Sequence, residues 1–234
     1  MQLKILFQDD HYVAIDKPAG LLVHRSPLSR DRVFALQTLR DQLGRHVYPV
    51  HRLDRATSGV LLFGLSALAA RRAATLFESR LVDKEYLAVA RGWVDEKGLI
   101  DHPLADAEGN GVSQRALTAF RRLAAVELPY AVDRYPSTRY SLVSVRPETG
   151  RRQQIRKHFK HISHHLIGDT THGTGRHNRF FAARFGIRRL LLMSRRLDFT
   201  HPYHDTRISI TAQPDADWQL IATIFALPAP AAAD

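Results

Sequence analysis

Val60-Leu61-Leu62-Phe63 is an unbroken apolar run that reads as a buried strand. Immediately before it stand His51-Arg52-Leu53-Asp54-Arg55-Ala56-Thr57-Ser58-Gly59. A carboxylate, Asp54, lies between two arginines, with Leu53 beside it and a Thr-Ser-Gly turn after it. Val47 to Val50, strand-like but broken by Pro49, lead in. Asp54 is therefore expected on a loop held at both ends by the core, and such loops commonly carry reactive groups. The flanking Arg52 and Arg55 are expected to favour its ionised form. A fixed carboxylate among cations suits nucleophilic attack or proton transfer on an anionic substrate. The plain alternative is a surface ion-pair cluster.

Charge narrows the choice of substrate. Lys and Arg number 34 against 23 Asp and Glu, a formal net charge of +11. Such an excess points to a polyanion, with nucleic acid ahead of a membrane surface, because no strongly basic amphipathic helix with an aromatic face is evident. With no cysteine, disulfides and thiolate catalysis are excluded, and a metal site would need His and carboxylate ligands. Met1 to Asp10 hold too short an apolar run for a signal peptide. No stretch approaches the roughly 18 apolar residues of a membrane span. The expected location is the cytoplasm, with no obligate protein partner.

The rest of the chain reads as strands interspersed with few helices. Leu3–Phe7 and Tyr12–Ile15 flank a polar turn and predict a hairpin. Lys17-Pro18-Ala19-Gly20 reads as turn chemistry. Val33, Leu36, Leu39 and Leu43 predict a helix stopped by Gly44. Ser66 is positioned to cap a second helix carrying Ala70, Ala73, Leu76 and Phe77 inward. Lys84–Ala90 predicts a strand. From Asp95 to Gln114 the pattern is lost, with Gly109-Asn110-Gly111 as a flexible loop. Tyr140–Val145 alternates up to the Pro147–Gly150 turn, after which Ile155, Phe159 and Ile162 predict a helix. Further expectations are a helix from Asn178 to Phe185, strands at Leu190–Met193 and Ile208–Ile210, and a last helix from Asp217 to Phe225. The class is α+β: one domain over 1–227 with a mixed, mainly antiparallel sheet flanked by helices and loops. An Ala/Pro tail, 228–234, is expected to be disordered.

His-Arg-Leu-Asp-x-x-Thr-Ser-Gly followed by Leu-Leu resembles the catalytic motif of the RluA-type pseudouridine synthases. The resemblance implies that Asp54 is the essential catalytic residue and that the reaction, an isomerisation, needs no cofactor. Lys84-Glu85-Tyr86 resembles the family's second motif, whose tyrosine stacks on the target base. By itself a tyrosine in a strand is as readily a core residue. Thr149-Gly150-Arg151-Arg152-Gln153-Gln154-Ile155-Arg156 resembles the third motif and implies that Arg156 pairs with Asp54; Gln153 stands where the family usually has His. The Lys17-Pro18-x-Gly20 opening fits the family's first segment. His164–Asp169, its continuation to Asn178, and Val23–Ser26 look most like a member that modifies tRNA at position 65, with ribosomal RNA as the alternative. Met193-Ser194 stands where relatives commonly have His-Ala.

The resemblance gives Arg52 the task of filling the space left by the extruded nucleotide. Arg55, Arg151, Arg152 and Lys157 are further RNA-binding candidates, with Arg152 and Arg156 expected on one helix face. Leu53, Val60 and Ile155 are candidates to line the pocket for the detached uracil. His161, His164, His165, His172 and His177 match no metalloenzyme pattern, so no metal is expected. A glycoside hydrolase would need two carboxylates flanking the bond. A non-catalytic RNA-binding or assembly protein would need the basic surface but not Asp54.

Overall fold

The computed structural model describes residues 1–25, 31–105 and 112–226. In chain order the elements are β1 (Lys4–Gln8), β2 (Tyr12–Lys17), α1 (Ala35–Leu43), β3 (Tyr48–Pro49), β4 (Ser58–Gly64), α2 (Ala67–Glu78), β5 (Asp83–Arg91), β6 (Lys97–Asp101), β7 (Leu104–Ala105), β8 (Ser113–Gln114), β9 (Leu117–Leu128), β10 (Thr138–Pro147), α3 (Gln154–His161), α4 (Gly175–Phe185), β11 (Leu192–Thr200), β12 (Arg207–Thr211) and α5 (Ala216–Ile224). The fold class is α+β, as the sequence predicts. Two compact units interleave along the chain: Met1–Tyr86 with Leu192–Ala212, and Leu87–Leu191 with the segment from Gln213. The changeovers fall within β5 and at the start of β11, so no polar linker marks them in the sequence. The 228–234 tail and the Gly109-Asn110-Gly111 loop lie outside the described residues.

In the first unit β1, β2, β4 and β11 are successive neighbours, with β3 on β4 and β12 on β11. These pairs are antiparallel except β4 with β11, which run parallel through Met193↔Ser58 and Ser194↔Gly59. With strands on both sides, all of β4 is buried, which is why its sequence is a continuous apolar run rather than an alternation. Leu3, Val13, Ile15, Leu39, Leu61 and Phe63 share one apolar cluster. Helix α1 ends at Gly44, whose φ of 63° lets its N–H reach the Arg40 carbonyl. Ser66 Oγ accepts from Ala69 N at 3.1 Å and starts α2.

Gly59 joins the Asp54 loop to this sheet. Its φ is +103°, and a Cβ there would lie 2.1 Å from the Ser194 carbonyl oxygen. Both the conformation and the strand spacing therefore demand glycine. Gly59→Ala is expected to lower stability by at least about 1–3 kcal/mol from backbone strain alone. A urea-unfolding midpoint equal to that of the wild type would count against this reading of the β4–β11 contact.

In the second unit the later half of β5, then β10, β9 and β6 lie side by side, and β7 pairs with β8. β9 and β6 extend the sheet antiparallel beyond β10. The sequence reading misses β9. Its Ala, Arg and Leu content carries little strand preference, and pairing along both edges overrides that. Helix α4 begins at Gly175, three residues before the expected start, and closes at Gly186 with φ 74°. β11 runs on to Thr200, past the Leu190–Met193 expected.

Candidate active site

Asp54 sits on a loop clamped to β4 from both sides. Upstream, β3 pairs with β4 through Pro49↔Phe63, and Val50 N donates to Leu62 O at 3.3 Å. Downstream, Thr57 N donates to Asp54 O at 3.1 Å, closing a turn that leads into buried Thr57 and Ser58. His51 braces the loop from within: its Nε2 accepts from Leu62 N at 3.1 Å and its ring stacks on Phe77. Burial, then the Lys84 charge, pull the His51 imidazole down to about 3, against a backbone hydrogen bond at Arg52 that raises it. His51 is thus neutral at physiological pH, as an Nε2 acceptor must be.

Lys17 is a second brace, one that turn chemistry alone does not reveal. Fully buried, its Nζ donates to the carbonyls of Pro18 and Leu21, both at 2.8 Å, and of Arg55 at 3.2 Å. Gly20 N reaches the same Arg55 oxygen at 2.8 Å. The opening turn and the Asp54 loop are therefore one hydrogen-bonded body. The Arg55 side chain donates to Gly20 O at 3.1 Å and to Asp31 at 2.9 Å. Arg52 is exposed.

Tyr86 packs against the cluster that contains Leu53, Leu61 and Phe63. Burial pushes its phenol up to about 12. The nearby Ser194 hydroxyl opposes this, and the Asp54 charge adds to it. The phenol and the carboxylate are thus close enough for one to feel the other's charge. Ser194 Oγ, buried in the sheet, completes no hydrogen bond of ordinary geometry among the described residues. Leu53 and Val60 are both buried. Val60 is one residue from Leu61, so strand alternation turns it to the opposite face of β4.

In the second unit, Arg156 lies on α3 with 6% of its side chain exposed. Asp169 grips it with two bonds, Nε to Oδ2 and Nη2 to Oδ1, each 2.7 Å. Thr171 N and His172 N also donate to Asp169 Oδ1, at 2.9 and 2.8 Å. Burial is the largest single influence on this carboxyl and opposes ionisation. Arg156 and the two N–H groups outweigh it and hold the group below its ordinary value. The preceding Gly168 lets the Arg189 backbone pass close by, since a Cβ there would sit 1.8 Å from the Arg189 carbonyl oxygen. Nothing about Asp169 in the sequence, apart from its place in the family-like Gly-Asp pair, signals this role.

The third motif differs locally from the sequence expectation. Helix α3 starts at Gln154 and Gln153 is left-handed, with φ 56°, so Arg152 precedes the helix and does not share a face with Arg156. Gln153 Oε1 meets His172 Nε2 at 2.8 Å. Buried Gln154, which the sequence reading passes over, bonds Thr149, Arg151 N, Leu117 O and Thr118 and so fixes the turn. Arg151 and Arg152 are exposed, Lys157 is half-buried and Ile155 is buried. The histidines are dispersed among separate contacts: His164 with Arg91 O, His177 with Tyr140, and His161 stacked on His102. Among the described residues no helix is long and apolar enough to cross a membrane.

These features agree with known proteins. The family model described as RNA pseudouridylate synthase matches residues 11–161. A protein of Haemophilus ducreyi named tRNA pseudouridine synthase C is 48% identical over 234 residues, covering 96% of this chain and 96% of that one. Its namesake in Vibrio parahaemolyticus is 44% identical over 235 residues, again with 96% of each covered. Human RNA Pseudouridylate Synthase Domain Containing 4 shares the fold, with a TM-score of 0.75 at 22% identity, covering 97% of this chain and 94% of that one. The matched span takes in the Asp54 loop, Tyr86 and Arg156, and on this evidence the chain belongs to the RNA pseudouridylate synthase family.

Proposed function

We propose that this protein converts uridine to pseudouridine in tRNA, at position 65, with Asp54 as the catalytic carboxylate. The observation that carries the reading is the braced Asp54 loop beside the Tyr86 phenol. The relatives' names favour tRNA over ribosomal RNA, and the excess of basic residues suits either. A cytoplasmic location follows from that substrate.

The reaction breaks the N1–C1′ bond of uridine, turns the uracil over and joins C5 to C1′. C5 loses a proton and N1 gains one, so substrate and product have the same atoms. Asp54 serves by attacking the base, by attacking C1′, or by removing the C2′ proton. Tyr86 stays protonated at neutral pH, which suits an apolar platform for the base with a hydroxyl that donates a hydrogen bond. The target nucleotide has to leave its helix for this chemistry, at a cost of a few kcal/mol. Arg52 is assigned to the space it vacates. The partnership of Arg156 with Asp54 implied by the third motif belongs to this proposal, as do RNA contacts by Arg55, Arg151, Arg152 and Lys157 and pocket roles for Leu53, Val60 and Ile155.

The decisive experiment maps pseudouridines in tRNA and ribosomal RNA from cells with and without the protein. Loss confined to tRNA position 65 supports the reading, and an unchanged tRNA map rejects it. Tyr86 is tested by kinetics, following release of the C5 proton. Tyr86→Phe is expected to keep KM and lower kcat by roughly 100-fold, the usual scale of a positioned proton donor. Tyr86→Ala is expected to raise KM as well, because the platform is gone. Wild-type kcat should show no alkaline limb at the ordinary tyrosine value of 10.0, since the phenol titrates near 12. A kcat that instead rises with pH through the ordinary tyrosine value, a rise lost in Tyr86→Phe, would assign Tyr86 the opposite, phenolate role.

A further inference from the structure

The chain has two tryptophans, and they differ sharply: Trp218 is 3% exposed and Trp93 47%. Arg139 lays its guanidinium over the Trp93 ring, 4.0 Å from the ring centre. The pair is held in place. Gly92 N donates to Arg139 O at 2.7 Å, and Glu127 Oε2, opposite on β9, meets Arg139 Nε at 3.2 Å. Glu127 is itself engaged by the Ser137 hydroxyl. A second pair, Arg134 over Tyr135 at 4.9 Å, lies on the β9–β10 connection, and Tyr135 is 57% exposed.

A single exposed apolar side chain needs no explanation. Two exposed rings, Trp93 after β5 against Arg139 at the start of β10 and Tyr135 on the β9–β10 connection, each carry an arginine, a pattern with a known use. Unpaired nucleic acid binds where aromatic faces receive bases and cations receive phosphates. The net charge of +11 supplies the complementary field. We propose that the Trp93–Arg139 surface is an RNA-binding site distinct from the Asp54 loop. An unpaired base extends the guanidinium–indole stack, and Arg139 and Arg134 contact the flanking phosphates. The assignment rests on the RNA-substrate reading above, and it adds a contact outside the target nucleotide.

Trp93 is also its own reporter, because buried Trp218 is shielded from a stacking base. Titration of the full-length protein with a tRNA transcript carrying uridine 65 is expected to quench tryptophan fluorescence. Trp93→Phe should remove that quenching. Trp93→Ala and Arg139→Gln are each expected to raise KM for the transcript by roughly tenfold, the scale of one base stack, with kcat unchanged. Persistent quenching in Trp93→Phe, or wild-type KM in Trp93→Ala, overturns the proposal. Quenching by a transcript in which no pseudouridine forms would reject the proposed reaction and leave this surface standing, so the two failures are distinguishable.

Discussion

Asp54→Asn is expected to abolish pseudouridine formation, with turnover reduced at least about 10,000-fold, while fold and RNA affinity stay near those of the wild type. The isomerisation needs one group that accepts electron-poor carbon or a proton, and the amide does neither at the required rate. Yet Asn fills the same volume, on a loop that contacts away from the carboxylate also hold. His51 to Leu62 N, Lys17 to Arg55 O and the Thr57 N turn bond all survive the exchange. The readouts are C5-proton release, thermal unfolding and RNA binding measured on one preparation. Turnover in the variant equal to that of the wild type would remove Asp54 from the chemistry. Loss of folding together with turnover would instead make Asp54 a structural residue.

Asp169→Asn is expected to be the most destabilising of the conservative changes. The Arg156–Asp169 pair is almost wholly inaccessible, with 6% and 1% of the two side chains exposed. Removing one charge leaves the other buried without compensation from this partner, at about 3–5 kcal/mol. For a chain of this size that lowers Tm by on the order of 10 °C. The same pair gives a signed pH dependence. Because the folded carboxyl lies below its ordinary value of 3.8, the unfolded chain takes up the proton first as pH falls. The stabilisation is full above 3.8 and is lost as pH drops through the folded value. Asp169→Asn should flatten that part of the acid-unfolding curve. An acid limb unchanged in the variant would assign it to other carboxylates. Arg156→Met with Asp169→Leu should regain part of the stability, but only part, since Thr171 N and His172 N lose their acceptor. On the proposed partnership of Arg156 with Asp54, activity should not return. Recovery of turnover in that double variant would show that Arg156 has no role with Asp54.

Local information reached far along this chain. The β1–β2 hairpin, the Gly44 stop, the Ser66 cap and the strand after Gly59 are written in short-range patterns that the fold keeps. So is the placement of Asp54 on a clamped loop, because an apolar run on one side and strand-like residues on the other leave the loop no freedom. The motif strings of Asp54, Tyr86 and Arg156 sufficed to name the family.

What holds those residues had to come from the tertiary structure. Lys17 looks like part of a turn until its ammonium is seen buried among three carbonyls. Arg55, adjacent to Asp54 in sequence, donates to Asp31, while Arg156 meets an acid thirteen residues away. Arg152 and Arg156 have helical spacing, but left-handed Gln153 starts the helix after the first of them. β9 carries a composition unsuited to strands and becomes one because β10 and β6 offer their edges. In each case the deciding contact joins residues that composition and periodicity cannot relate. Strand pairing and buried-charge satisfaction are set by which groups burial brings together, and that is settled only when the chain has closed on itself.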